Sequence, residues 1–132
     1  MIGRKSFRSI QVFGIGCALG LVAAAGVAQP QGDPGRGEKR FEECASCHSI
    51  AADENGVGPA LKGIINRKAA SVEDFRYSPA MQRSGITWTA ETLDTFISDP
   101  QKMVPGNRMA YAGMSDAADR ADLISYLQNA TK

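Results

Sequence analysis

The chain has 132 residues, 43% of them hydrophobic and 22% charged, with a formal net charge of +1. That profile fits one ordinary globular domain rather than a disordered chain. With no basic field, no G-x-x-x-x-G-K phosphate loop and no internal repeat, it also gives nucleic-acid binding and phosphate-loop chemistry nothing to stand on.

In chain order, the first segment reads as an export signal. Arg4, Lys5 and Arg8 precede a mostly apolar, uncharged stretch from Ile10 to Ala25, and small residues end at Ala28. This is the layout of a secretory signal peptide over residues 1–28, cleaved after Ala28. An uncleaved anchor is the alternative, because Ile10 to Ala28 approaches the ~20 residues that span a bilayer, but the stretch is rich in Gly and Ala. Cys17 follows Gly14-Ile15-Gly16, a poor match to a lipoprotein box, and reads as filler. Of the 15 basic residues, Arg4, Lys5 and Arg8 leave with this segment, so residues 29–132 hold 12 against 14 acidic ones and form a mildly acidic domain.

A first short helix is expected from Gly37 to Cys44, with Gly37 and Phe41 on one face. It runs into "CASCH", Cys44 to His48, which contains the only histidine of the chain. Structural zinc would want four soft or imidazole ligands, and the exported domain supplies only Cys44, Cys47 and His48. A thioredoxin-like C-x-x-C opens a helix in a βαβ setting, and no alternating β-rich stretch lies nearby. Attachment of c-type haem uses every residue of the motif. Cysteines at i and i+3 share nearly one helical face, so both thiols can form thioethers to one porphyrin, and His48 is carried beneath the iron as proximal ligand.

Later elements are helical too. Ser78-Pro79 can begin a short turn. Thr89 is the expected N-cap of a helix with Leu93, Phe96 and Ile97 as its apolar stripe, ending before Pro100. Ser115 or Asp116 starts a last helix with Leu123, Tyr126 and Leu127 on one side and Lys132 near its end. The rest is loop, a thin core for such a length, so a large apolar group tied to the chain would serve as the centre of packing. With one histidine, the sixth iron position is left to a methionine, a lysine, water or nothing. Met81, Met103, Met109 and Met114 remain open at this point, since any methionine is more often packing than ligand.

The stretch "VPGNRMAYAGM", Val104 to Met114, resembles the ligand loop of class I cytochromes c. The resemblance extends over nearly all of residues 32 to 132, through "GEKRF", "VGPAL", "NRK", "FRYS", "GITW" and "DLISYLQNATK". It implies an all-α fold of three main helices and loops wrapped around one covalently attached haem c. On that match His48 and Met109 are the iron ligands, Cys44 and Cys47 carry the haem, and Tyr111 lies near the exposed haem edge, with Gly113 as the turn glycine. The Pro59 carbonyl accepts from the second ring nitrogen of His48, and Arg67, Tyr77 and Trp88 serve the haem propionates. Gly37 and Phe41 pack on Leu123 and Tyr126.

There are departures from the family pattern. Met81 and Phe96 stand where many relatives carry an asparagine and a tyrosine around an internal water, so that side of the pocket is expected to be drier. Arg108 replaces the lysine before the axial methionine, and Glu43, Gln101 and Ser115 replace edge lysines. The resemblance implies a soluble, monomeric, periplasmic one-electron carrier and not an enzyme. Its donor would be of the quinol–cytochrome c reductase type, and its acceptor a terminal oxidase or other reductase. Nucleic acid has no part, and membrane contact comes only through partners unless residues 1–28 are retained. The alternative is a haem enzyme or gas-binding sensor with an open sixth position.

Overall fold

The helix that leads into the cysteine motif begins at Asp33, whose carboxylate accepts the free amides of Gly35 and Arg36 at 2.8 and 3.0 Å. In the computed structural model, which describes residues 31–51 and 54–132, this helix, α1, spans Pro34–Ala45. It starts three residues before the expected Gly37, because Asp33 caps it and Pro34 supplies a first position that needs no amide donor. The export segment expected over residues 1–28 lies outside the described residues.

Four more helices follow: α2 Pro79–Arg83, α3 Ala90–Ser98, α4 Pro100–Met103 and α5 Ala117–Ala130. The short helix α2 starts at Ser78, whose hydroxyl caps the Met81 amide at 3.1 Å. In α3 the cap is reciprocal: Thr89 Oγ1 accepts the Thr92 amide at 3.2 Å, and Thr92 Oγ1 accepts the Thr89 amide at 2.8 Å. A one-turn helix, α4, appears after Pro100 where the sequence reading had only the end of α3. Asp99 adopts extended backbone and caps the new turn through Lys102 N. Asp116 caps α5. Among the described residues the only β feature is an isolated bridge between Lys68 and Thr87, so the fold is all-α. No helix among them is long and apolar enough to cross a membrane.

Helix α5 crosses α1 and also packs on α3. At the first crossing a Cβ on Gly37 would overlap the Asp122 carbonyl and stand 2.7 Å from Tyr126 Cβ, so only glycine lets the backbones come this close. Phe41 lies beside Tyr126 with ring centroids 5.6 Å apart, and Leu123 is buried in the same cluster. Full burial of one such side chain stabilises by about 1.5–3 kcal/mol. Asp122 adds a polar lock. Its carboxylate accepts from Arg36 Nε at 2.6 Å, Arg36 Nη2 at 2.9 Å and the Asp33 amide at 2.6 Å, a forked arrangement in which each oxygen is satisfied. In the first turn of α5, two residues before Asp122, Arg120 bonds Asp94 of α3 at 2.8 Å and the carbonyls of Met114 and Ser115 at 2.9 and 2.8 Å.

Two outcomes test this crossing. Gly37→Ala should destabilise the intact protein by at least the ~1–3 kcal/mol typical of overpacking, read as a lower midpoint of guanidinium unfolding. The Arg36 hydrogen bond, followed by the Asp33 amide, holds the Asp122 carboxyl below the usual carboxylate range. A depressed carboxyl stabilises above its unfolded pKa, about 3.9, and that contribution is lost as pH falls through the folded value. Asp122→Asn should therefore flatten the decline of stability below about pH 4; an unchanged slope there would contradict the assignment.

Candidate functional site

The cysteine motif straddles the end of α1. Cys44 lies in its last turn, Ser46 is the C-cap, and Cys47 and His48 fall in the turn beyond. That turn is closed by the Cys47 and His48 amides, both donating to the Cys44 carbonyl at 3.0 and 2.9 Å. The Gly58 amide returns to the Cys47 carbonyl at 2.9 Å, and Leu61 N to Ser49 O at 2.8 Å, which folds segment 56–61 back under the histidine. A Cβ on Gly58 would overlap the imidazole, standing 2.7 and 2.8 Å from its two nitrogens. The missing side chain lets the ring lie flat on the backbone.

His48 Nδ1 is 2.7 Å from the Pro59 carbonyl. A carbonyl can only accept, so Nδ1 carries the proton and Nε2 keeps its lone pair. Burial lowers the histidine pKa, with the Pro59 bond opposing it more weakly, which keeps the ring neutral and a competent metal ligand. Both cysteines are free thiols. Burial, then the charge of Glu43, pushes the Cys44 thiol up to about 11, unlike the depressed thiols of redox C-x-x-C motifs. Free thiols one turn apart beside a neutral imidazole with a bare nitrogen fit a covalently attached haem.

A cavity of about 410 Å³ runs along this turn, lined in part by Phe41, Cys47, His48, Ile50 and Asn55. A second, of about 390 Å³, is lined in part by Asn55, Ala60, Arg67 and Val72. Arg67 donates to the carbonyls of Lys62 at 2.6 Å and Ala60 at 2.8 Å, so its guanidinium clamps the loop that follows Pro59. Backbone pairing joins Arg67 to Trp88, whose amide donates to the Arg67 carbonyl at 2.9 Å. Trp88 is buried, with its ring 5.0 Å from that of Phe96. Tyr77 stacks edge-on with Phe75 at 4.8 Å. Burial raises the Tyr77 phenol, while the Val72 amide on its hydroxyl and the Arg67 charge pull it back. Arg67 thus meets Trp88 through the backbone and lies close enough to Tyr77 for its charge to act on the phenol. Met81 and Phe96 are both buried in the core cluster, and the Ser84 hydroxyl approaches the Met81 sulfur at 3.9 Å.

Met109 is half-buried against the core, in the loop between α4 and α5. Its support comes from Asn107, a residue the sequence reading passed over. Asn107 is buried and donates from Nδ2 to the carbonyls of Pro100 and Val104 at 2.8 and 2.9 Å, while its Oδ1 accepts the Met109 amide at 2.8 Å. The loop ends where Gly113 turns at φ 104° and Met114 N donates to Ile97 O at 2.9 Å. Between them, Tyr111 donates its hydroxyl to Glu43 at 3.0 Å. Burial first, and Glu43 next, push the Tyr111 phenol up to about 12, so it remains a donor through the neutral range. Asn55 was also passed over; its side chain accepts the Ala60 amide at 3.0 Å. An Asn-Gly pair at 55–56, and an asparagine directly after Pro105-Gly106, were the local signals available.

Comparison with known proteins gives a uniform result. The Cytochrome c family model matches residues 35–131. The chain is 47% identical over 97 residues to cytochrome c2 of Rhodoblastus acidophilus, covering 73% of this chain and 91% of that one. It is 39% identical over 121 residues to cytochrome c2 of Rhodomicrobium vannielii, covering 91% and 94%. Among solved structures, cytochrome cH from Methylobacterium extorquens superposes with a TM-score of 0.70 at 41% identity, over 74% of this chain and 98% of that one.

The network around Asn107 is open to direct test. Asn107→Ala removes the second donor of the Pro100 and Val104 carbonyls, which keep the amides of Val104 and Asn107, and leaves the Met109 amide without its acceptor, a loss of about 1–3 kcal/mol. The unfolding midpoint should fall accordingly, and amide exchange should accelerate most at residues 107–109. A variant as stable as the parent would show that the side chain is not holding the loop.

Proposed function

The chain belongs to the cytochrome c family, electron carriers rather than enzymes that bear covalently attached haem c, and on that footing we propose a periplasmic one-electron carrier whose iron is held by His48 and Met109. Haem supplies the couple between ferric and ferrous iron, and a His/Met pair raises its potential relative to other axial sets. The chain does the rest. Cys44 and Cys47 anchor the group through thioethers; Pro59 fixes the tautomer and direction of the His48 ring; Asn107 fixes the backbone amide of Met109. Arg67, Tyr77 and Trp88 take the propionates, carboxylates that are costly out of water without such partners.

The observation that carries this reading is the bond between His48 Nδ1 and the Pro59 carbonyl, which keeps the proton on Nδ1 and the Nε2 lone pair available to a metal, on the residue that directly follows the Cys44–Cys47 pair. With the His48 imidazole and the Met109 sulfur both on the iron, no iron position would be left for substrate, so electrons would move outer-sphere through the haem edge near Tyr111. The donor is a quinol-oxidising membrane complex, the acceptor a terminal oxidase or other reductase, and the carrier works as a monomer. With residues 1–28 removed, the polypeptide holds 12 basic and 14 acidic residues, so docking depends weakly on salt; exposed charges are screened over ~8 Å at physiological ionic strength.

Carbon monoxide decides between a closed and an open sixth position. Reduced parent protein should not bind it at neutral pH, whereas Met109→Ala should retain covalent haem, bind it readily and show a lower reduction potential. Ready binding by the parent would contradict the proposal. Replacing Cys44 or Cys47 by alanine should reduce both covalent haem and the yield of folded protein, and an equal soluble yield without haem would contradict a haem-centred fold.

A further inference from the structure

We propose that Tyr111 and Glu43 form a strap that holds the Met109 loop closed, and so govern how readily the iron exchanges Met109 for another ligand. This rests on Met109 being the ligand, as argued above.

The loop is held unevenly. Asn107 secures its first part, up to the Met109 amide. Ile97 and Arg120 secure its last part, through Met114 N, Met114 O and Ser115 O. Among the described residues, those from 110 to 113 make one hydrogen bond, from the Tyr111 hydroxyl to Glu43. Its two ends are 68 residues apart in the chain. One end is two residues past Met109, and the other is the residue before Cys44. The bond therefore ties the segment that carries one iron ligand to the segment that carries the haem.

Three further features make it a working strap. Its anchor is firm, because Glu43 sits on α1, which is locked to α5 by Arg36, Asp122 and the close approach at Gly37. The contact is charge-assisted, a phenol donating to a carboxylate, and such bonds exceed neutral ones. The tyrosine ring packs against the core, so its hydroxyl is already directed. Exposure of Glu43 to solvent limits the strength, which suits a tie that opens reversibly. Neither residue is a ligand; both are positioning residues acting through Met109.

The test is a double-mutant cycle on ferric holoprotein, with the rate of imidazole uptake at neutral pH as readout, since uptake waits for Met109 to leave. Tyr111→Phe and Glu43→Ala should each speed uptake about fivefold, the equivalent of one ordinary hydrogen bond. The double variant should be no faster than the faster single one, and Glu43→Gln, which keeps a neutral acceptor, should fall between parent and Glu43→Ala. Amide exchange at residues 110–113 should rise in the same order. Parent-like rates in the single variants, or effects that multiply in the double variant, would overturn the strap. Met109→Ala separates this from the ligand assignment: if it abolishes the slow step while Tyr111→Phe and Glu43→Ala change nothing, the strap alone is wrong. If Met109→Ala itself leaves uptake slow, the ligand assignment fails and the strap with it.

Discussion

The close crossing of α1 and α5 is the constraint from which the site takes its shape. A single absent side chain, that of Gly37, brings the α1 backbone against the Asp122 carbonyl, and the Asp122 carboxylate then takes three donors from the start of α1. Since α1 is a rigid rod, fixing its beginning also aims its end, where Cys44 sits. The same α5 reaches back through Arg120 to α3 and to the carbonyls that close the Met109 loop. One helix pair thereby orients two chain segments, one holding Cys44, Cys47 and His48 and the other holding Met109.

The local chemistry of each segment follows a common plan, in which a polar side chain or carbonyl removes a degree of freedom from a group of consequence. Pro59 selects the histidine tautomer; Asn55 stiffens the loop that presents Pro59 by taking the Ala60 amide; Arg67 ties the far side of that loop through two carbonyls. Asn107 performs the same service beside Met109. None of these contacts is strong alone, at about 1 kcal/mol net, but preorganised ligands need little rearrangement when the iron changes charge. Met81 and Phe96 keep the adjoining core apolar.

The fold class and the location of the site were legible because they rest on local pattern. "CASCH" needs only spacing; Thr89 declares itself as an N-cap through position; and the stripe of Leu93, Phe96 and Ile97 appears at helical period and is buried. The start of α1 was missed by three residues because glycine at 35 and 37 masked a helix that Asp33 and Pro34 had already begun. The single turn of α4 is too short for any periodicity, and only the extended Asp99 shows it. Asn107 and Glu43 escaped for another reason. Their worth comes from partners brought close by tertiary folding, and for Glu43 the partner is Tyr111, 68 residues away. From the sequence Glu43 was only a lost lysine.

The central claim is that Met109, among the methionines of the domain, completes the coordination of an iron whose other ligand is His48. Proton NMR of the reduced holoprotein, with methionine methyl groups isotopically labelled, tests it most directly. A methyl lying on the iron, over the haem plane, is shifted far upfield by the ring current, and packed methyls are not. The account requires one such resonance, absent from Met109→Leu and retained in the leucine variants of Met81, Met103 and Met114. A shifted resonance that survives in Met109→Leu, or that vanishes with Met81→Leu, would contradict it.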